Sequence, residues 1–269
     1  MTAWAEVIGD PIAHSRSPAI HGFWLNALGI EGTYRATLMP SDGLAGFFAA
    51  RRRDLDWRGC NVTAPHKLAV IPFLDRLSDS AERTGAVNCI TRDGDGLIGG
   101  NSDVDGIAEA LTDADVSGCK AVLIGAGGAA RAALAWLADA GAGEILCLAR
   151  DPEKARSALA FDTVSAFGGE AIEGANLVVN ASPLGMAHAD PMPPSLLAGL
   201  GNAAPGATAF DMIYQPLDTP FLQAARAAGL NAVDGLSMLI GQARRAFESF
   251  FGAEPPRSHD DDLRRMLTG

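Results

Sequence analysis

The chain lacks any long apolar run. The longest uncharged one, Ala121 to Ala130, is glycine-broken and too short to cross a bilayer as a helix. The N-terminus reaches Asp10 without the basic and apolar regions of a secretory leader, so a cytoplasmic location and no membrane partner are expected. The triplets Asn61-Val62-Thr63 and Asn180-Ala181-Ser182 then carry no meaning as glycosylation acceptors. Cysteine is sparse: Cys60, Cys89, Cys119 and Cys147 are widely spaced with no C-x-x-C pair, which argues against a zinc ribbon or a disulfide scaffold and leaves reduced, mostly buried thiols. Positive charge is short as well, with 21 Lys and Arg against 32 Asp and Glu and a net charge of −11. A nucleic-acid partner is therefore not expected, since such proteins present basic stripes. The only dense basic run, Arg51-Arg52-Arg53, reads as the solvated end of a helix. Metal-ligand patterns are missing too. His14, His21 and His66 have no carboxylate or cysteine at ligand spacing, and Asp260, Asp261 and Asp262 beside His259 read as an acidic helix start capped by Ser258.

What is present is an α/β composition: 269 residues, 48% apolar, with 31 glycines. That length predicts one large or two modest domains. In the first hundred residues, strands are predicted at Trp4 to Ile8, Gly32 to Leu38, Arg58 to Val62, Ala86 to Thr91 and Leu97 to Gly100. Ser17 as N-cap and Pro18 behind it open a helix to about Leu28, with Ile20, Phe23, Trp24 and Leu28 on one face, and a second helix covers Leu44 to Arg51.

From Gly118 strands and helices alternate, with strands at Ala121 to Ile124, Ile145 to Leu148, Leu177 to Asn180 and Thr208 to Met212. This predicts a doubly wound parallel sheet of Rossmann type. Between its first strand and helix stands Gly125-Ala126-Gly127-Gly128-Ala129-Ala130, a tight turn that brings backbone N–H groups to a pyrophosphate. The second strand ends Ala149-Arg150-Asp151, with Lys154 one turn on. Arg150 and Lys154 suit the 2′-phosphate of NADP, whereas Asp151 would repel it unless it turns away or caps the helix that Pro152 opens. NADP is the expected cofactor, with NAD as the alternative. A long amphipathic helix runs from Leu236 to about Phe251.

The stretch Asn61-Val62-Thr63-Ala64-Pro65-His66-Lys67 places an amide, a hydroxyl and an amine at a strand end. Hydride transfer to or from a carbinol needs a group that moves the hydroxyl proton, and Lys67 can serve if a fixed partner tunes it. Asp103, in Gly100-Asn101-Ser102-Asp103, is the candidate partner. Asn61, Thr63 and Asn88 offer the polar contacts that a polyhydroxylated substrate demands.

These segments, with Pro11 to Pro18, Gly85 to Asn88, Asp211-Met212-Ile213-Tyr214 and Asp234 to Leu239 leading to Gln242, resemble the shikimate dehydrogenase family over essentially the whole chain. The resemblance implies NADPH-dependent reduction of 3-dehydroshikimate to shikimate in aromatic amino-acid synthesis. It implies a substrate domain over 1–102, completed by C-terminal helices over 237–269, a dinucleotide domain over 103–236, a cleft between them, and a monomer or homodimer. By position, Ser15, Ser17 and Tyr214 match carboxylate contacts; Asn61, Asn88, Asp103 and Gln242 match hydroxyl contacts; Lys67 with Asp103 matches the catalytic pair. Gly125 to Ala129, Arg150, Lys154, Met212 and Gly235 fall on the cofactor side. The sequence departs from the family at Asp151, where a threonine is usual, at Ser102 for threonine and at Val104 for glycine. Two rival readings remain at this level: an NAD-linked quinate or shikimate dehydrogenase, which Asp151 suggests, and a non-catalytic sensor, which would not need Lys67 and Asp103.

Overall fold

The computed structural model describes residues 2–269. Its strands are β1 (Ala3–Gly9), β2 (Gly32–Leu38), β3 (Trp57–Val62), β4 (Arg76–Leu77), β5 (Cys89–Asp93), β6 (Gly96–Gly100), β7 (Lys120–Ile124), β8 (Glu144–Ala149), β9 (Val164–Ala166), β10 (Leu177–Asn180), β11 (Thr208–Asp211) and β12 (Asn231–Val233). Its helices are α1 (Ser17–Leu28), α2 (Leu44–Arg51), α3 (Asp79–Thr84), α4 (Asp103–Ala110), α5 (Gly128–Asp139), α6 (Pro152–Leu159), α7 (Pro194–Gly199), α8 (Pro220–Ala227), α9 (Gly235–Phe251) and α10 (Asp260–Thr268). Contacts divide the chain into two compact units, one reaching Asp103 and completed by Gln242–Gly269, the other Val104–Gly241.

The first unit holds a mixed sheet in the order β2-β1-β3-β5-β6-β4. Successive residues of β1 serve opposite faces, as the strand period requires. Ile8 packs with Phe47, Phe48 and Trp57, while Val7 packs with Tyr34, Cys89 and Phe250 of α9. β3 runs parallel to β1 and antiparallel to β5, and β5 is antiparallel to β6. The end of β3, the start of β5 and the end of β6 therefore share one edge of the sheet: Asn61 pairs with Cys89, and Cys89 with Gly100.

The second unit is an all-parallel sheet in the order β12-β11-β10-β7-β8-β9. Its central strands carry continuous apolar runs because both faces are buried. Ala121 and Leu123 enter one core and Val122 and Ile124 the other. The strand order reverses between β7 and β10, which is where α/β sheets open a crevice for ligands.

Several local expectations are corrected. Ser17 is not the cap of α1 but its first residue; Arg16 stands at the N-cap without a side-chain bond, and Ser15 Oγ accepts from Ser17 N at 3.3 Å. The buried face of α1 is Ser17, Ile20, His21, Trp24 and Leu25, with Leu28 exposed. Ala86 to Asn88 stay outside β5, since the Val87 N–H is committed to the Lys67 carbonyl at 2.8 Å. Arg51 is not solvated: Glu6, fully buried on β1, requires a counter-charge, and Arg51 Nε donates to its Oε1 at 2.6 Å while stacking on Trp4 and Phe47. Ser258 sits inside a short 3₁₀ turn, and the N-cap of α10 is His259 with no side-chain cap bond.

None of the four cysteines is in a disulfide, and Cys119 alone is only partly buried. Among the described residues no helix is long and apolar enough to cross a membrane, and no group of three His, Cys, Asp or Glu side chains could hold a metal ion.

Candidate active site

Asp103 is the hub of the first unit's polar edge. Lys67 Nζ donates to its Oδ2 at 2.5 Å and Asn88 Nδ2 donates to its Oδ1 at 2.7 Å. The aspartate is buried at the start of α4, and its backbone N–H is capped by Asn101 Oδ1 at 3.0 Å. Its carboxylate is therefore released from capping its own helix and faces the lysine. The Lys67 side chain keeps 20% of its surface exposed, so it is held by the carboxylate without being sealed from a ligand. An ammonium has three donors and the Asp103 bond uses one.

The two asparagines are locked into the same edge. Asn88 Oδ1 accepts from Ser102 N at 2.7 Å, and the Asn88 carbonyl accepts both Val62 N at 2.8 Å and Asn61 Nδ2 at 3.2 Å. Asn61 Oδ1 accepts from the Tyr34 hydroxyl at 2.7 Å. Ser102 Oγ reaches Gln242 Oε1 at 3.5 Å, which ties α9 into the network. Thr63 lies just past β3, its methyl against Gly9, where a Cβ would come within 2.5 Å of it. Gly9 is thus needed for that close approach. Ser15 and Ser17 stand at the start of α1 in the same unit. Tyr214 is carried by the second unit, three residues past β11, and is half-buried.

In the second unit Gly127 is the N-cap of α5, and a Cβ there would meet nothing within 4 Å. Gly125 has φ +120°, and its Cβ would lie 2.8 Å from the Ala181 carbonyl oxygen beyond β10. The turn is therefore pressed against β10 on one side and open on the other, at the switch point of the sheet. Beside it a cavity of about 400 Å³ is lined by Gly125, Ala126, Arg150, Asp151, Lys154 and Ser182, among others. These residues fit the adenosine end of a dinucleotide: an open helix N-terminus for pyrophosphate and two basic side chains beyond it. Asp151 is spoken for, since its Oδ1 caps α6 by accepting from Lys154 N at 3.1 Å. Arg150 pairs with Asp190 Oδ2 at 2.6 Å, both exposed. Gly235 is buried against β11, where a Cβ would lie 2.4 Å from the Met212 carbonyl oxygen. Met212 is half-buried against the core beside it.

Sequence reasoning assigned no role to Tyr34, Ser182, Asp190 or Asp211. Asp211 is fully buried and accepts from Thr219 Oγ1 at 2.6 Å, Asn180 Nδ2 at 3.0 Å and Ile213 N at 3.1 Å. Burial pushes its carboxyl up to about 6. Asn180 Oδ1 in turn accepts from Ser182 N and Oγ at 3.1 and 2.7 Å, which fixes the wall of the cavity. The signals for Asp211 were its place in Asp211-Met212-Ile213-Tyr214 and the polar pair Asn180 and Asp211 closing two apolar strands.

A carboxylate that fixes a lysine ammonium, and a turn shaped for a pyrophosphate, equip a nicotinamide-dependent oxidoreductase, and the fold and the site assign the chain to that class. The family model for the shikimate dehydrogenase substrate binding domain matches residues 7–90, and that for the shikimate 5'-dehydrogenase C-terminal domain matches residues 235–259. The chain is 49% identical to the shikimate dehydrogenase (NADP(+)) of Sphingopyxis alaskensis over 98% of its length and 96% of that protein. It is 44% identical to the enzyme of that name from Acidiphilium cryptum, covering 98% and 95%. The structure of shikimate 5-dehydrogenase from Thermus thermophilus in complex with NADP(H) and shikimate superposes with a TM-score of 0.86 at 36% identity, covering 99% and 100%. The chain belongs to the shikimate dehydrogenase family.

Proposed function

We infer that the protein is an NADP-dependent shikimate dehydrogenase, interconverting 3-dehydroshikimate and shikimate in aromatic amino-acid biosynthesis. The observation that carries the reading is the Lys67–Asp103 bond at the polar edge of the mixed sheet. The first unit is the substrate unit and the second the cofactor unit. Bound NADPH supplies the hydride to the ring ketone. Lys67 Nζ gives the proton to the ketone oxygen, and in the reverse direction takes it from the hydroxyl. Asp103 Oδ2 holds the ammonium in place, while its Oδ1, fixed by Asn88 Nδ2, keeps the carboxylate from turning. Asn61, Thr63, Asn88 and Gln242 meet ring hydroxyls; Ser15, Ser17 and Tyr214 meet the carboxylate. Gly125 to Ala129 accept the pyrophosphate, with Met212 and Gly235 beside β11 on the cofactor side, and Arg150 and Lys154 take the 2′-phosphate. The capping role of Asp151 supports NADP over NAD by engaging its carboxylate at the N-terminus of α6, which weakens the repulsion its charge would cause. The four thiols support a reducing, cytoplasmic setting.

Loss of a general acid costs about 10²- to 10⁴-fold in rate. Lys67→Ala is expected to lower kcat for shikimate oxidation by that order and to change KM much less. An unchanged kcat in steady-state assays contradicts the assignment.

A further inference from the structure

Tyr34 lies on β2, two strands away from Asn61 in the sheet order, yet its hydroxyl ends on the Asn61 amide. The tyrosine is buried, and its ring stacks flat on that of His21, with centroids 3.9 Å apart and planes within 3°. Asn61 donates through Nδ2 to the Asn88 carbonyl, so its Oδ1 must face a donor, and Tyr34 supplies it at 2.7 Å. A flipped amide would set two carbonyl oxygens against each other.

We propose that Tyr34 is a positioning residue for substrate recognition, holding the Asn61 amide so that its second N–H is presented to a ring hydroxyl. This rests on the reading of Asn61 as a substrate contact. The chain Tyr34–Asn61–Asn88–Asp103–Lys67 then joins that contact to the lysine inside one unit.

Tyr34→Phe keeps the ring and removes the bond. A lost bond of this kind is worth about tenfold in affinity, so the KM for shikimate is expected to rise about tenfold, with kcat and the KM for NADP within about twofold of the parent. In the Asn61→Ala background the same substitution is expected to add less than about twofold, which a general loss of structure would not reproduce. Tyr34 replaced by 4-aminophenylalanine retains a donor and is expected to keep the parent KM. That variant also decides the matter if Tyr34→Phe does not fold. If Asn61→Ala raises KM and Tyr34→Phe does not, the proposal is overturned while the Asn61 contact stands. If Asn61→Ala leaves KM unchanged, the contact itself fails and the proposal with it.

Discussion

Lys67 was legible as a residue because it closes a strand-end stretch with two other polar groups, and Asp103 because it closes another. Their pairing was expected from the resemblance, but the geometry that makes it was not legible. It depends on β5 entering antiparallel between β3 and β6, which brings residues far apart in the chain to one edge. Tyr34 was invisible for a related reason: between Thr33 and Arg35 it belongs to no motif, and its partner lies on β3. His21 shows the opposite case, a histidine that sequence reasoning left out of chemistry and that the structure buries. Neither ring nitrogen has a hydrogen-bond partner, and burial pushes the imidazole down to about 3. The unfolded chain takes up a proton below about pH 6.5 that the folded chain refuses, so stability is full above that pH and falls by about 1.4 kcal/mol per unit as the pH drops toward 3. Asp211 acts with the reverse sign, since its raised carboxyl, at about 6, favours the folded state at low pH and that gain is lost as pH rises from 3.8 through 6. Comparison with His21→Phe isolates the histidine, because Asp211 is common to both proteins. Urea midpoints measured from pH 7.5 to 4.5 are expected to fall more steeply for the parent; parallel curves would contradict the burial of a neutral His21.

At the scale of elements, several stand where sequence reasoning puts them: strands β2 over Gly32–Leu38 and β10 over Leu177–Asn180, and helix α2 over Leu44–Arg51. The short edge elements were not legible. β4 and β9 have too few residues for a period to show, and α3 is a capped turn and a half marked only at its ends, by Ser78 accepting from Ala81 N and by left-handed Gly85. The glycine turn was readable from its flanks, while the need for Gly125 came from β10, whose Ala181 carbonyl leaves no room for a Cβ. Asp151 was ambiguous in sequence and is a helix cap in the structure. Asp151→Ala is accordingly expected to lower stability by about 1 kcal/mol, read as a drop in urea midpoint, and to leave the preference for NADP over NAD in place. Arg150→Ala combined with Lys154→Ala is expected to raise the KM for NADP by at least about tenfold and to change that for NAD little. An equal rise for both cofactors would place the two cations on a part of the dinucleotide that NAD shares.

At the scale of the whole molecule, alternation of strand and helix after Gly118 was enough to announce a parallel sheet, because each β-α step there is short and its apolar runs are continuous. The mixed sheet was harder to order, since parallel β1 and β3 and antiparallel β5 have similar local patterns; only the pairing distinguishes them. Membership of the shikimate dehydrogenase family accounts for both sheets in one chain, and 49% identity over nearly the full length carries that membership. The specificity of turnover belongs to this scale too, because the proposed function assigns the substrate to one unit and the cofactor to the other. Initial rates of nicotinamide reduction with shikimate and with quinate, each with NADP and with NAD, test it directly. Shikimate with NADP is expected to give the highest kcat/KM of the four pairs; higher kcat/KM with quinate or with NAD, or no turnover with any pair, would contradict the account.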